Sequence, residues 1–245
     1  MNPEITQGFE EWEDDTRIYG WKSEKPLTPF APDYTYFITE KKIFSEEECR
    51  EWTDYLLEQE IILLDKYRIY TLGDGGTGLG DNSITSRFPH FNVLTFDFHL
   101  VEKYKTEIFN GIRNILRISG NTKFRETIYA NCWFNVLRQG EGMHEHQHGY
   151  HKNTFYGCNL SINAFETFTS YYHPIKFQGA TYHVPNKVGY LTMFPNFIPH
   201  SVSINRYPQP RISIAGDIFT STWLNEPASE YQSKNNIKLG TYIGN

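Results

Sequence analysis

Cysteine is scarce in this chain. The three that occur, Cys49, Cys132 and Cys158, are odd in number and form no CxxC pair. That argues against a disulfide framework and against a structural thiolate zinc site. Positive charge is also short: 23 Lys and Arg face 29 Asp and Glu, a net charge of −6. Such a balance does not suit a surface that tracks phosphates, so nucleic acid is not an expected partner. No apolar run reaches membrane-spanning length, and no membrane partner is expected. The first residues, MNPEITQGFEEWEDD, are acidic and polar and resemble neither a secretory signal nor a transit peptide, so the expected location is cytoplasmic. The glycine-rich stretch at 71–83 is not followed by Gly-Lys-Ser/Thr, which excludes a phosphate-binding P-loop. No internal repeat is visible. A small-molecule or protein substrate remains open.

Aromatic residues are plentiful, at 16% of the chain, and they favour strands over helices. With 245 residues the chain is long enough for one large domain with a substantial core. Residues 1–33 read as an irregular arm, interrupted by Pro26, Pro29 and Pro32. In FSEEECREW, Ser45 is followed three residues on by Glu48, a capping box, and Cys49, Trp52, Leu56 and Leu57 follow on an apolar face. The pattern predicts a helix over 45–58. TLGDGGTGLGDNS, with five glycines, predicts a loop over 71–83, either a surface connection or a lid over a site. Leu100, Val101, Tyr104, Ile108, Ile112, Ile115 and Leu116 recur at helical spacing and predict a second helix over 99–118. Beyond Asn121, short β-branched and aromatic runs alternate with turn residues, the pattern of a β-sandwich or barrel. The expected organisation is a single domain, mainly β with flanking helices. It has a helical and mixed support at 34–122, a β core at 123–223 and a polar tail at 224–245.

Four of the nine histidines lie in GMHEHQHGYH, residues 142–151. In a strand, every second side chain points to one face, so His144, His146 and His148 would line one side together. Neutral imidazole is the commonest metal ligand. An exposed strand edge or a surface loop would explain the same pattern without a metal. Further on come His200, Arg211 and Ser213. A hairpin turning over 205–210 would put Arg211 and Ser213 on one face of the returning strand. A guanidinium fork with a hydroxyl beside it is shaped to hold a carboxylate bidentately. Arg211 could instead pair with an acid such as Glu145 or Asp217. A metal held by three protein ligands on one facet keeps open positions for O₂ and a chelating cosubstrate.

These residues carry a resemblance. The ordered set Trp133, Asn135, Gly140, His146, His148, then Phe194, Pro195, His200, Val202, then Arg211, Ser213 resembles the Fe(II)- and 2-oxoglutarate-dependent oxygenases. It is similar to a branch of them common in bacteria and phages. The resemblance covers about 90 residues, from Tyr129 to Phe219, and KIFSEEECREW is similar to the helix that opens many of these enzymes.

The resemblance implies a double-stranded β-helix (jelly-roll, cupin-like) core buttressed by the N-terminal helices. It also implies a hydroxylase using Fe(II), 2-oxoglutarate and O₂. Metal ligands would be His146, His148 and His200, with His144 in place of His148 in a shifted registration. Arg211, Ser213 and Asn135 would bind the cosubstrate, with Tyr129, Asn131 and Tyr156 as other candidates for the role of Asn135. The loop at 73–80 and the flank GYHKNTFY are candidate covers. One departure stands out, because the superfamily usually has a carboxylate two residues after the first histidine, where this chain has another histidine. Three neutral ligands also suit a cupin-like three-histidine metalloenzyme that does not use 2-oxoglutarate. A binding or structural module on an oxygenase scaffold is the non-catalytic alternative. Trp133 reads as core. His90, His99, His173 and His183 read as structural or exposed.

Overall fold

The computed structural model of the chain describes residues 6–70, 73–121, 123–149, 155–175, 181–224 and 236–243. Two antiparallel sheets dominate. The larger runs in the order β1 (Thr6–Glu13), β2 (Thr16–Ser23), β3 (Thr35–Lys42), β9 (Tyr190–Pro195), β6 (Tyr156–Ser161), β11 (Arg211–Thr220), β4 (Arg125–Leu137) and β12 (Ile237–Ile243). The smaller runs β5 (Met143–His146), β10 (His200–Val202), β7 (Phe168–Tyr171) and β8 (Tyr182–Pro185). The helices are α1 (Glu46–Lys66), α2 (Val101–Ile118) and the short α3 (Ser221–Leu224). Among the described residues, no helix is long and apolar enough to cross a membrane.

The period of two in β11 separates the two jobs of the larger sheet. Ile212, Ile214 and Ile218 sit in register with Val136, Phe134 and Ala130 of β4. They share a core with Trp52 and Leu56 of α1 and with Tyr104, Ile108 and Ile112 of α2. The helices therefore cover this face. The intervening residues Arg211, Ser213, Ala215 and Asp217, in register with Leu137, Asn135, Trp133 and Asn131, alternate with them and so point to the other face. Both sheets contribute to a second aromatic core made of Tyr19, Trp21, Ile38, Tyr171, Val184, Phe194 and Ile198.

The helix at Ser45 starts as its capping box requires. The Ser45 N–H donates to Glu48 Oε2 at 2.8 Å, and the Glu48 N–H donates to Ser45 Oγ at 3.2 Å. It runs on past 58 to Lys66, because Leu63 continues the buried stripe of Cys49, Trp52 and Leu56. Glu60 interrupts that stripe in the sequence, yet it is buried and accepts a 2.8 Å hydrogen bond from Arg138 Nη2. The second helix begins at Val101 and buries the apolar positions expected of it.

Two expectations are corrected. The irregular arm expected over 1–33, of which 1–5 lie outside the described residues, is ordered strand over most of 6–23. Thr6–Ser23 folds into a hairpin that reverses at Asp14 (φ 52°), and its inner strand buries Tyr19 and Trp21 completely. The prolines fall beyond β2, so they break only the connection to β3. Nor is 224–245 simply a polar tail, because β12 pairs with β4 and closes that edge of the larger sheet. The remainder of that stretch, apart from Leu224 and Asn236, lies outside the described residues.

Candidate metal centre

The smaller sheet brings the histidines together by breaking the simple alternation. His200 of β10 is paired with His146 of β5, but Val202 is paired with Met143. Two steps along β10 thus match three along β5, which is a β-bulge. One extra residue flips the side-chain parity. Met143 and His146 both face the cavity between the sheets, while His144 and Glu145 are exposed. The expectation of three imidazoles on one strand face is therefore corrected. His148 lies beyond the end of β5, in a turn held by its N–H donating to Asn196 O at 2.9 Å.

His146, His148 and His200 each offer a ring nitrogen to one point, and the three nitrogens lie within 4.8 Å of one another. The Nδ1 of each ring is already engaged. His146 Nδ1 lies 2.8 Å from His144 O, His200 Nδ1 lies 3.0 Å from Ile198 O, and His148 Nδ1 lies 2.7 Å from Asp217 Oδ1. Each partner is an acceptor, so each Nδ1 must carry the proton and each Nε2 keeps its lone pair. The convergent atoms are therefore three Nε2 donors. Burial, reinforced by the neighbouring His148, pushes the His146 pKa down to about 4. Burial with His146 and His148 alongside drives that of His200 well below the ordinary imidazole value. Both rings are neutral at neutral pH, the state a cation needs. His144 is outside this group. Its N–H donates to Thr77 O at 2.8 Å, which ties the glycine loop to β5.

The cavity measures about 240 Å³. Phe88, Trp133, Tyr171 and Phe194 supply its aromatic walls, and among the described residues no lysine or arginine lines it. Trp133 is thus a wall of the site rather than core alone, with its ring centroid 5.7 Å from that of His148. Asn135 also lines the cavity, where its Oδ1 accepts a 2.8 Å hydrogen bond from Thr85 Oγ1. Tyr129, Asn131 and Tyr156 are not among the lining residues.

Arg211 and Ser213 are fully buried and share a face of β11 with Ala215 and Asp217 of the cavity wall, but neither is among the residues that line the cavity. Arg211 Nη1 donates to Ser213 Oγ at 3.0 Å. Its Nε and Nη2, the side-on fork of the guanidinium, have no acceptor among the described residues. Burial lowers the Arg211 pKa to about 10, which still leaves it charged at neutral pH. The pairing with Asp217 does not occur. Six residues along one strand separate the two Cα atoms by roughly 20 Å, and Asp217 is bonded to His148.

Asp74, Gly75 and Thr77 of the glycine loop form part of the cavity wall. The Asp74 carboxylate accepts from the N–H groups of Gly76 at 3.0 Å and Gly80 at 2.8 Å, which folds the loop around it and lowers its pKa. The other proposed cover, GYHKNTFY, has residues 150–154 outside the described residues. His90, His99, His173 and His183 stand elsewhere. His173 Nε2 contacts Tyr34 OH at 3.0 Å and His183 Nδ1 contacts Ser170 Oγ at 2.8 Å. Reading the sequence missed Asp217 as a partner of His148. The signal was the period of two on β11, which places Asp217 on the same face as Arg211 and Ser213.

No known family's profile and no curated protein matches the chain. Solved structures do. A prolyl-4-hydroxylase from Pseudomonas putida superposes with a TM-score of 0.51 at 12% identity, over 76% of this chain and 93% of that one. The chain shares its fold with that hydroxylase. The non-heme alpha ketoglutarate dependent carbocyclase SnoK from nogalamycin biosynthesis gives 0.47 at 11% identity, over 75% of this chain and 79% of that one. At 12% identity what the chain shares with the prolyl-4-hydroxylase is the fold, a double-stranded β-helix architecture that is mainly β with flanking helices.

Proposed function

We propose that this protein is an Fe(II)- and 2-oxoglutarate-dependent dioxygenase that hydroxylates a small-molecule or protein substrate in the cytoplasm. The observation that carries this reading is the convergence of three Nε2 lone pairs whose outer nitrogens are all held by acceptors. The cavity histidines, with Arg211 and Ser213 on the same face of β11 but outside the lining, fit both groups. Three neutral imidazoles suit a divalent cation, and a buried guanidinium with a free fork suits an organic anion. Three free, buried cysteines suit a reducing compartment.

When bound, iron and 2-oxoglutarate supply oxidation by O₂, with the keto acid converted to succinate and CO₂ and one oxygen atom delivered to the substrate. The chain's own residues do the rest. His146, His148 and His200 hold the cation, and their outer hydrogen bonds fix ring orientation before binding. Arg211 and Ser213 take the distal carboxylate of the keto acid, satisfying the donors that are otherwise unpaired. Asn135, fixed by Thr85, offers its amide N–H to the cosubstrate. Phe88, Trp133, Tyr171 and Phe194 exclude water, and the loop around Asp74 forms part of the roof.

Anaerobic titration of the protein with Fe(II) and 2-oxoglutarate tests the reading. A weak visible charge-transfer band on adding the keto acid is the expected result. The all-nitrogen donor set also favours a second reading, a three-histidine metalloenzyme of cupin type holding zinc or manganese. That protein would bind metal without the band. Absence of both metal and band would leave a binding module.

A further inference from the structure

The three imidazoles are not equivalent. The outer nitrogens of His146 and His200 meet neutral backbone carbonyls, whereas that of His148 meets a carboxylate. The pair is well shielded, with the His148 side chain 8% exposed and that of Asp217 14% exposed. Among the described residues no lysine or arginine pairs with Asp217, and none lines the cavity. A carboxylate placed this deep without a cationic side chain is costly unless something else in the site carries positive charge. Around the convergence point of the three Nε2 atoms, Asp217 is the carboxylate in direct contact with a candidate ligand. A divalent cation held by three neutral rings brings no compensating charge with its ligands. Asp217 sits one hydrogen bond away from supplying it.

We infer that Asp217 is the positioning residue of this metal centre: through His148 Nδ1 it fixes the ring and provides the negative charge that three imidazoles lack. This rests on the proposed metal centre. The hydrogen bond selects the tautomer with the proton on Nδ1, and it makes His148 the most electron-rich of the three donors. Its strand explains why the geometry is firm. β11 is flanked on both sides by β4 and β6, with Asp217 in register between Asn131 and Gly157, so the backbone that carries the carboxylate is held in place.

The test uses Co(II), whose visible d–d bands report its donors, on the whole chain. Asp217→Asn keeps size and an acceptor but removes the charge. Weakening of Co(II) binding by roughly 10- to 100-fold, the usual effect of losing an outer partner, is expected. The d–d spectrum should shift, with the melting temperature of the metal-free protein held or raised. Co(II) bound by Asp217→Asn with the affinity and spectrum of the unaltered protein would overturn the inference while leaving the metal centre standing. Failure of the unaltered protein to bind Co(II) would remove both. A measurement on the unaltered protein guards against a variant that does not fold. Its Co(II) form should show three exchangeable, paramagnetically shifted ring N–H proton signals. Absence of the one assigned to His148 would mean that the protonated Nδ1 on which the Asp217 contact depends is not there.

Discussion

His200 lies opposite His146 in the ladder between β10 and β5, and their ring centroids are 4.4 Å apart. The bulge beside this pair points both rings into the cavity, so neither histidine can be moved along its strand without turning away. His200→Ala should therefore abolish stoichiometric metal binding. The loss should exceed the roughly 10- to 100-fold expected from removing an outer partner, since a donor itself is gone. Metal analysis of the purified variant after anaerobic loading and desalting reads this directly. Iron retained at one per chain would contradict the assignment.

Arg211 is fully buried, and two of its three guanidinium nitrogens lack acceptors among the described residues, where nothing repays that arrangement. Arg211→Met should weaken 2-oxoglutarate binding about 10- to 100-fold, the effect of losing charge-assisted hydrogen bonds worth about 1.5–3 kcal/mol. Fe(II) affinity should stay within a factor of two or so, because the guanidinium touches none of the three rings. The free variant should be as stable as the unaltered chain or more so, by about 1 kcal/mol, because a buried charge gives way to an apolar side chain of similar length. Unchanged affinity for the keto acid would count against the clamp.

Much of this arrangement could be read from the sequence because it rests on periodicity. The buried stripe of α2 and the alternation of β11 are both visible as spacing. What was hidden depends on contacts between distant segments. The helix that opens at Ser45 reads as ending near 58 until Arg138 is seen across from the buried Glu60. The prolines at 26, 29 and 32 outweigh the alternating Tyr19 and Trp21, whose burial requires strands that lie 150 residues away in the chain. The bulge in β5 leaves no local mark, since it is set by the pairing of Met143 and His146 with β10. Trp133 belongs to a wall rather than the core alone because the ladder puts it beside Ala215 on the face that looks into the cavity.

Acid should destabilise the metal-free protein in a defined window. An unfolded histidine titrates near pH 6.5, while the folded pKa of His146 is about 4 and that of His200 lies well below its ordinary value. Between those limits the unfolded chain binds protons that the native one does not. Stability therefore rises with pH across the window and is lost as pH falls, by about 1.4 kcal/mol per unit for each such group. Above about pH 6.5 these groups contribute no further change. Melting temperatures measured between pH 7 and 4.5, above the range where most carboxylates titrate, should fall steadily. His90 and His173 are lowered too, by burial, so His146→Gln serves as the control and should flatten the slope. A profile that is level down to pH 4.5 would show that the rings are not held in the desolvated state described.

The docking of the glycine loop can be separated from its internal conformation. Gly78 has φ +81°, and a Cβ there would collide with the ring of His144. Gly76 has nearly the same backbone, φ +80°, with nothing within 4 Å of the added carbon. An alanine at either place carries the cost of a left-handed conformation, about 1–2 kcal/mol. Only Gly78→Ala also pushes the loop off β5, where Thr77 O accepts the His144 N–H. Amide hydrogen exchange should then show His144 losing protection in Gly78→Ala and keeping it in Gly76→Ala. Metal affinity should be the same in both, because neither glycine touches a ligand. If the loop serves as roof, substrate-dependent succinate release should drop further in Gly78→Ala than in Gly76→Ala. Equal protection and equal turnover in the two variants would reduce the loop to a surface connection, with the cavity mouth governed by the sheets alone.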